Sequence, residues 1–498
     1  MSRDQASLPQ QPCARGPIAL AAAAVRAVTT PSPPPARRPA RPRHTGPLLL
    51  SAGLSLALSL GAGQAAAHAP DSYGFGARGA AMGSAVAADS RDFAAGYYNP
   101  AGLVASPNLS LSIGYFGSDN QLSLNGRDND VVDPHGLQGG IVAPGKLLGI
   151  PFAFGVATYI PDDGLSRVKA LRQETPRWEL YNDRTTIVFI AANLAIRPVS
   201  FLEIGGGIAF LAATRGEFGI RGTAVLSDPY ESQLEHEVDA DLTSTRYPQL
   251  GLRLKLWDYG FLGLVYRGES RIPLAIGATL KGTIDAGLEV PLTYTLQSKT
   301  VDAFLPQQVV LGLSFQKIKN LRANFDLTWL NWARYESPTA QTSTDLSVVL
   351  PPGLGIDLPG STKPTRVIPP AFEDRFVPRV GVEYTLGFGS QVTVHGEQVP
   401  SVQVPLRAGY VFEATPIPEQ TGLTNFVDAD RHTVSAGLAL VLNKPSSVLA
   451  GSLHVDAYFQ ASFLPERLHR KASAADFVGD YRASGQMIGG GGAIGVDF

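Results

Sequence analysis

The sequence predicts an all-β protein, a transmembrane antiparallel β-barrel of about fourteen strands with an N-terminal plug in its lumen. Three observations lead there. An export signal precedes the folded part, and no later stretch has the continuous apolar length that a membrane helix needs. The rest of the chain alternates apolar and polar residues with period two, which puts one set on each face of a strand. A soluble sandwich has the same period, so single strands decide nothing. The connections do: they run long, short, long, short, as in outer-membrane barrels. In a bilayer such strands must close on themselves, because only closure leaves no backbone group unpaired.

Residues 1–69 read as a basic, Pro-rich leader and signal peptide. Arg37, Arg38, Arg41 and Arg43 precede a Leu-rich run from Gly46 to Ala62, and Ala65, Ala66 and Ala67 follow, so cleavage after Ala67 or after Ala69 fits. The apolar run is short for a membrane anchor, and no Cys follows it for a lipid anchor. No Met lies between Met1 and Met82, so either translation begins far upstream or, the favoured reading, it starts at a non-Met codon such as that of Val25 or Val28. The one cysteine, Cys13, lies in the leader, so the exported chain has no disulfide and no thiol chemistry.

Residues 108–498 read as the barrel. Strands are expected near 108–118, 135–145, 151–161, 183–197, 200–215, 243–257, 259–270, 305–317, 320–335, 376–387, 401–413, 431–443, 450–465 and 484–498. The alternation is clearest at 453–463, 433–442 and 321–329. Trp257 to Gly260 and Lys319-Asn320 carry turn chemistry, and only the turn between 387 and 401 is drawn out. The chain finishes on an alternating strand that ends in Phe498, like the terminal strand of outer-membrane barrels.

Residues 70–107 lie between leader and barrel. They are rich in small residues from Gly74 to Gly83 and carry a turn at Asn99-Pro100. A fourteen-strand lumen is too wide for side chains alone to fill, and a segment of this length ahead of the first strand is fitted to block it. Gly79, Ala81, Met82, Gly83, Ala85, Asp89, Tyr98, Asn99, Pro100, Ala101, Gly102 and Leu103 form a pattern that resembles the N-terminal hatch of the FadL/TodX family of outer-membrane transporters for hydrophobic compounds. The segments 305–313, 326–332, 406–410 and 430–437 resemble the family in the same order.

The resemblance implies passive transport of long-chain fatty acids, or of aromatic or alkane hydrocarbons, across a Gram-negative outer membrane. In that family, two neighbouring extracellular loops capture cargo, and by position these are 216–242 and 271–304. The second is unusually apolar, with Ile272, Leu274, Ile276, Leu280, Leu288, Val290, Leu292 and Tyr294 as candidate contacts, although a hairpin packed on itself would look alike. Cargo then passes the hatch and leaves sideways at a kinked third strand, here 151–161 with Pro151, Gly155 and Pro161. The segments 186–192 and 201–211 put apolar or small residues on both faces, which suits an apolar cargo or packing against the hatch. The expected partners are hydrophobic small molecules, outer-membrane lipid and the barrel assembly machinery, with the protein a monomer.

Other classes find less support. Net charge is -2, which leaves no electrostatic footprint for nucleic acid. Gly74 to Gly79 fits a dinucleotide-binding glycine pattern, but a signal peptide precedes it where a buried strand is required. The eight His residues lack metal-ligand spacing, so no cofactor or metal is expected. A lipid hydrolase would use His454 and Asp456, which share a strand face, yet no serine is singled out beside them. A structural barrel or adhesin would use the Pro-rich loop 336–375. No enzyme activity is expected.

Overall fold

The computed structural model describes residues 69–129, 131–162, 174–181, 188–225, 233–285, 289–337, 341–348, 367–446 and 449–498. The leader, with its apolar run and the site after Ala67, lies outside the described residues. Among the described residues there are eighteen strands. In chain order they are β1 (Ser110–Leu124), β2 (Arg127–Asp128), β3 (His135–Leu147), β4 (Ile150–Pro161), β5 (Phe189–Val199) and β6 (Leu202–Val225). Next come β7 (Gln233–Leu256), β8 (Gly260–Arg267), β9 (Ser270–Asp285), β10 (Glu289–Leu305), β11 (Gln308–Phe315) and β12 (Leu321–Leu330). The last are β13 (Gln341–Val348), β14 (Arg375–Val394), β15 (Glu397–Glu413), β16 (Arg431–Asn443), β17 (Ser452–His469) and β18 (Tyr481–Asp497).

Fourteen of these close into one wall. Each is antiparallel to the next in the order β1, β3 to β8, β11, β12, and β14 to β18, and β18 pairs with β1 over the whole length from Ser110 to Leu124. They correspond one for one to the fourteen expected strands. The alternation is inverted relative to a soluble protein. On β17, Val455, Phe459 and Phe463 are exposed while Asp456, Gln460 and Ser462 are buried, and on β12 Phe325 is exposed between buried Asn324 and Asp326. Apolar side chains face lipid and polar ones face the lumen, as a membrane barrel requires. Exposed Trp257 and Tyr259 sit at the short-turn rim, where aromatic residues suit the membrane–water boundary.

The short turns hold positive-φ residues, including Trp257, Asn320 and the pair His395-Gly396. That pair corrects the drawn-out turn expected at 387–401. Strands β14 and β15 run on past those bounds and join through two residues with φ of 52° and 89°, the left-handed conformations of a tight hairpin turn. The polar, Gly-containing stretch hid the strands because their far ends are exposed on both faces.

The segments expected as capture loops are likewise, over their described residues, strands rather than irregular loops. Strands β6 and β7 extend past the wall, β9 and β10 form a second hairpin, β13 pairs with β10, and the outer half of β6 runs parallel to β9 from Gly216 to Val225. The chain leaves the wall already extended, and Ile, Val, Thr and Tyr favour continuing the ladder.

Strand β4 brings a further correction. It pairs with β3 from Ile150 to Pro161 and with β5 from Phe152 to Tyr159 without a register shift, so no break in the ladder opens the gap expected there. Pro151 and Pro161 sit at its two ends, where a missing N–H costs the ladder least.

Candidate functional site

Residues 69–107 lie against the inner face of this wall. Short helices α1 (Ala69–Tyr73), α2 (Ala77–Ala81) and α3 (Ala95–Tyr98) are followed by a 3-10 turn at Pro100–Ala105, and nearly every residue is buried. Gly74, Gly76 and Gly83 take positive φ, which breaks the helices into one-turn pieces. Small side chains then let the segment's backbone approach the wall closely.

Each residue of the hatch motif has a local reason. A Cβ on Gly79 would stand 2.5 Å from the Tyr98 ring, and that tyrosine's hydroxyl accepts from Phe75 N at 2.8 Å and bonds Ser84 Oγ at 3.1 Å. Met82 is fully buried, Gly83 N donates to Ser435 Oγ on β16 at 3.1 Å, and the Gly102 backbone passes over Ser90. Asn99 Nδ2 donates to Ala87 O at 2.7 Å and to Leu252 O on β7 at 3.1 Å, while its Oδ1 accepts from Ala101 N at 3.1 Å. It thereby caps the 3-10 turn, with Pro100 at the first position.

The wall answers with glycines that the sequence did not single out. A Cβ at Gly205 on β6 would lie 2.3 Å from Ala101 N, and one at Gly251 on β7 would lie 2.1 Å from Asn99 Oδ1. Gly381 and Gly409 on β14 and β15 do the same for Met82 and Gly83. Their signal in the sequence was glycine at lumen-facing positions of several strands. The Asn99-Pro100 turn therefore sits on β6 and β7, and Leu103, further along, rests on Gly155 of β4.

Asp89 anchors an ionic network. It accepts from Arg78 at 2.6 Å, Arg91 at 2.8 Å, Arg322 of β12 at 3.0 Å and Gln316 at 2.9 Å. Arg78 also reaches Glu383 of β14 at 3.0 Å; Arg407 of β15 joins Glu383 at 2.8 Å and then Asp456, which pairs with His454 at 2.9 Å. Burial works against the Arg78 charge, but Glu383 and Asp89 hold its pKa well above the usual guanidinium value. Arg78, Arg322, Glu383, Arg407 and Asp456 border a cavity of about 340 Å³ at the short-turn end of the lumen, also lined by Asp92, Ser110 and Asp497.

Toward the other end the lining is aromatic on one side. Phe116 of β1, Tyr159 of β4 and Phe189 of β5 pack with Tyr73, Phe75 and Tyr97, with ring centroids 5.4–6.0 Å apart. Of the candidate capture residues, Ile272, Leu274, Ile276 and Leu280 fall on β9, and Val290, Leu292 and Tyr294 on β10. The register sets Leu280 opposite Tyr294 and places these seven positions at even numbers, on one face of the hairpin over its regular part. Leu288 lies outside the described residues.

No family model matches the chain. It is 23% identical to Alkane uptake protein A of Marinobacter nauticus over 460 residues, covering 87% of this chain and 91% of that protein. Among solved structures it resembles the CymD monoaromatic hydrocarbon channel, with a TM-score of 0.51 and 16% identity over 85% of this chain and 97% of that one. A Pseudomonas aeruginosa FadL homologue gives a TM-score of 0.49 and 14% identity over 85% and 98%. The ordered motifs, the fourteen-strand wall and a relative matched over nearly its full length all support the FadL/TodX family of outer-membrane transporters for hydrophobic compounds.

Proposed function

We propose that this protein passively carries long-chain fatty acids or other hydrophobic compounds across a Gram-negative outer membrane, with residues 70–107 as the hatch. Cargo is captured on the β9–β10 hairpin and its β6–β7 neighbour, passes the aromatic side of the lumen and leaves sideways through the wall at β4. The uneven lining of the lumen carries this reading. An apolar solute that went straight on would have to displace water from the charged cavity below the hatch, and desolvating those groups is costly. The aromatic side leads instead to β4, where Gly155 offers no side chain and Leu103 of the hatch fills the place. Because the β4 ladder is unbroken, release there requires local strand separation around Pro151, Gly155 and Pro161.

Hydrocarbon uptake is the second reading, favoured by the alkane and monoaromatic hydrocarbon in the names of two similar proteins. A hydrolase is not proposed: His454 and Asp456 are committed to the ionic network through Arg407. The protein is read as a monomer inserted by the barrel assembly machinery. Uptake of labelled oleate and labelled hexadecane in a host lacking its own transporter tests this. Accumulation of either above the empty-vector level supports transport, and accumulation of neither overturns it.

A further inference from the structure

We propose that Arg78 and Glu383 form an ionic latch that positions the hatch, and that the 78–93 part of the hatch leaves its seat only when this pair separates. The inference rests on reading residues 70–107 as a hatch. Four contacts close a ring of alternating charge that is half hatch and half wall. Arg78 Nε donates to Glu383 Oε2 at 3.0 Å and its Nη2 to Oε1 at 3.2 Å, while Nη2 also reaches Asp89 at 2.6 Å. Across the ring, Arg322 bonds Asp89 at 3.0 Å and approaches Glu383 at 3.5 Å. One guanidinium thus folds the hatch onto its own Asp89 and ties it to a strand 305 residues away.

The location makes this a latch rather than packing. Around Asn99 and Met82 the hatch backbone touches wall glycines with no intervening space. Arg78, Arg322 and Glu383 of the ring instead border the 340 Å³ cavity, which leaves room for movement. Arg78 and Arg322 keep 14% and 28% of their side-chain surface exposed, so water can reach both arginines, and Glu383 keeps Arg407 at 2.8 Å once Arg78 parts from it. A pair wholly sealed from water would leave two uncompensated charges on opening and would resist release.

The test uses the purified full-length barrel and needs no cargo, so it fails or succeeds independently of the uptake assay. Arg78→Gln should raise the open-pore fraction in planar bilayers by roughly tenfold, the order expected for a partly exposed pair whose carboxylate keeps Arg407 at 2.8 Å. It should also expose the hatch to protease, and Arg78→Lys should fall between it and the wild type. An assembled Arg78→Gln barrel with wild-type conductance and protease resistance overturns the latch. A second measurement uses the wild type alone. Raising salt to about 1 M should speed hydrogen exchange at 78–93 and spare 99–105, because screening weakens water-accessible pairs and not the neutral Asn99 contacts. Equal change in both stretches, or none, also overturns the proposal.

Discussion

Asn99 satisfies two carbonyls and one backbone N–H with a single buried side chain. Asn99→Ala leaves those groups unpaired, at about 1–3 kcal/mol each where no water replaces the bond. We expect the barrel to assemble, as read on a heat-modifiability gel, while hatch amides exchange at least tenfold faster and cargo uptake falls. Gly205→Val should do more, since its Cβ would overlap the Ala101 backbone; the expected result is a folded wall that conducts ions. Asp428, in the connection between β15 and β16, gives a pH-dependent test. Burial pushes its pKa up to about 7, against the lowering effect of the Thr415 hydroxyl that donates to it. In the unfolded chain the carboxyl titrates near 4, so between about 4 and 7 the folded state binds the extra proton and stability falls as pH rises. Protection of residues 414–430 from hydrogen exchange should therefore grow as pH drops from 8 to 5, and Asp428→Asn should remove that dependence.

Among the elements, the hatch and the hairpins behave differently. The tight β14–β15 turn is a local device, and its positive-φ glycine at 396 could be anticipated once the strands' true ends are known. The hatch is not local, because its one-turn helices have no stability outside the wall. Deleting residues 72–103 should leave a folded barrel that leaks, since the described wall side chains leave the lumen to the hatch. Background conductance from the deletion variant would reject the plug role. The strands proposed for capture belong to this scale as well. Their alternating apolar positions could be read from the sequence, but pairing of β6 with β9 joins segments that are about sixty residues apart, and no local pattern announces it.

For the molecule as a whole, the proposed sideways exit has a direct test. Ala153 and Ala195 face each other across β4 and β5, both buried on the lumen side. A disulfide between Ala153→Cys and Ala195→Cys should stop uptake in the oxidised protein and restore it on reduction. Unchanged uptake by the oxidised barrel would move the exit elsewhere. The sequence alone determined the fourteen strands and their lipid face, because periodicity and turn residues act over a few neighbouring residues. Tertiary structure decided where residues 70–107 sit. The glycine seats at 205 and 251, the unbroken β4 ladder and the ring of Arg78, Asp89, Arg322 and Glu383 arise from closing the barrel. Closure brings together residues hundreds of positions apart, and a glycine or arginine in one strand does not reveal which backbone or carboxylate it will meet across the lumen.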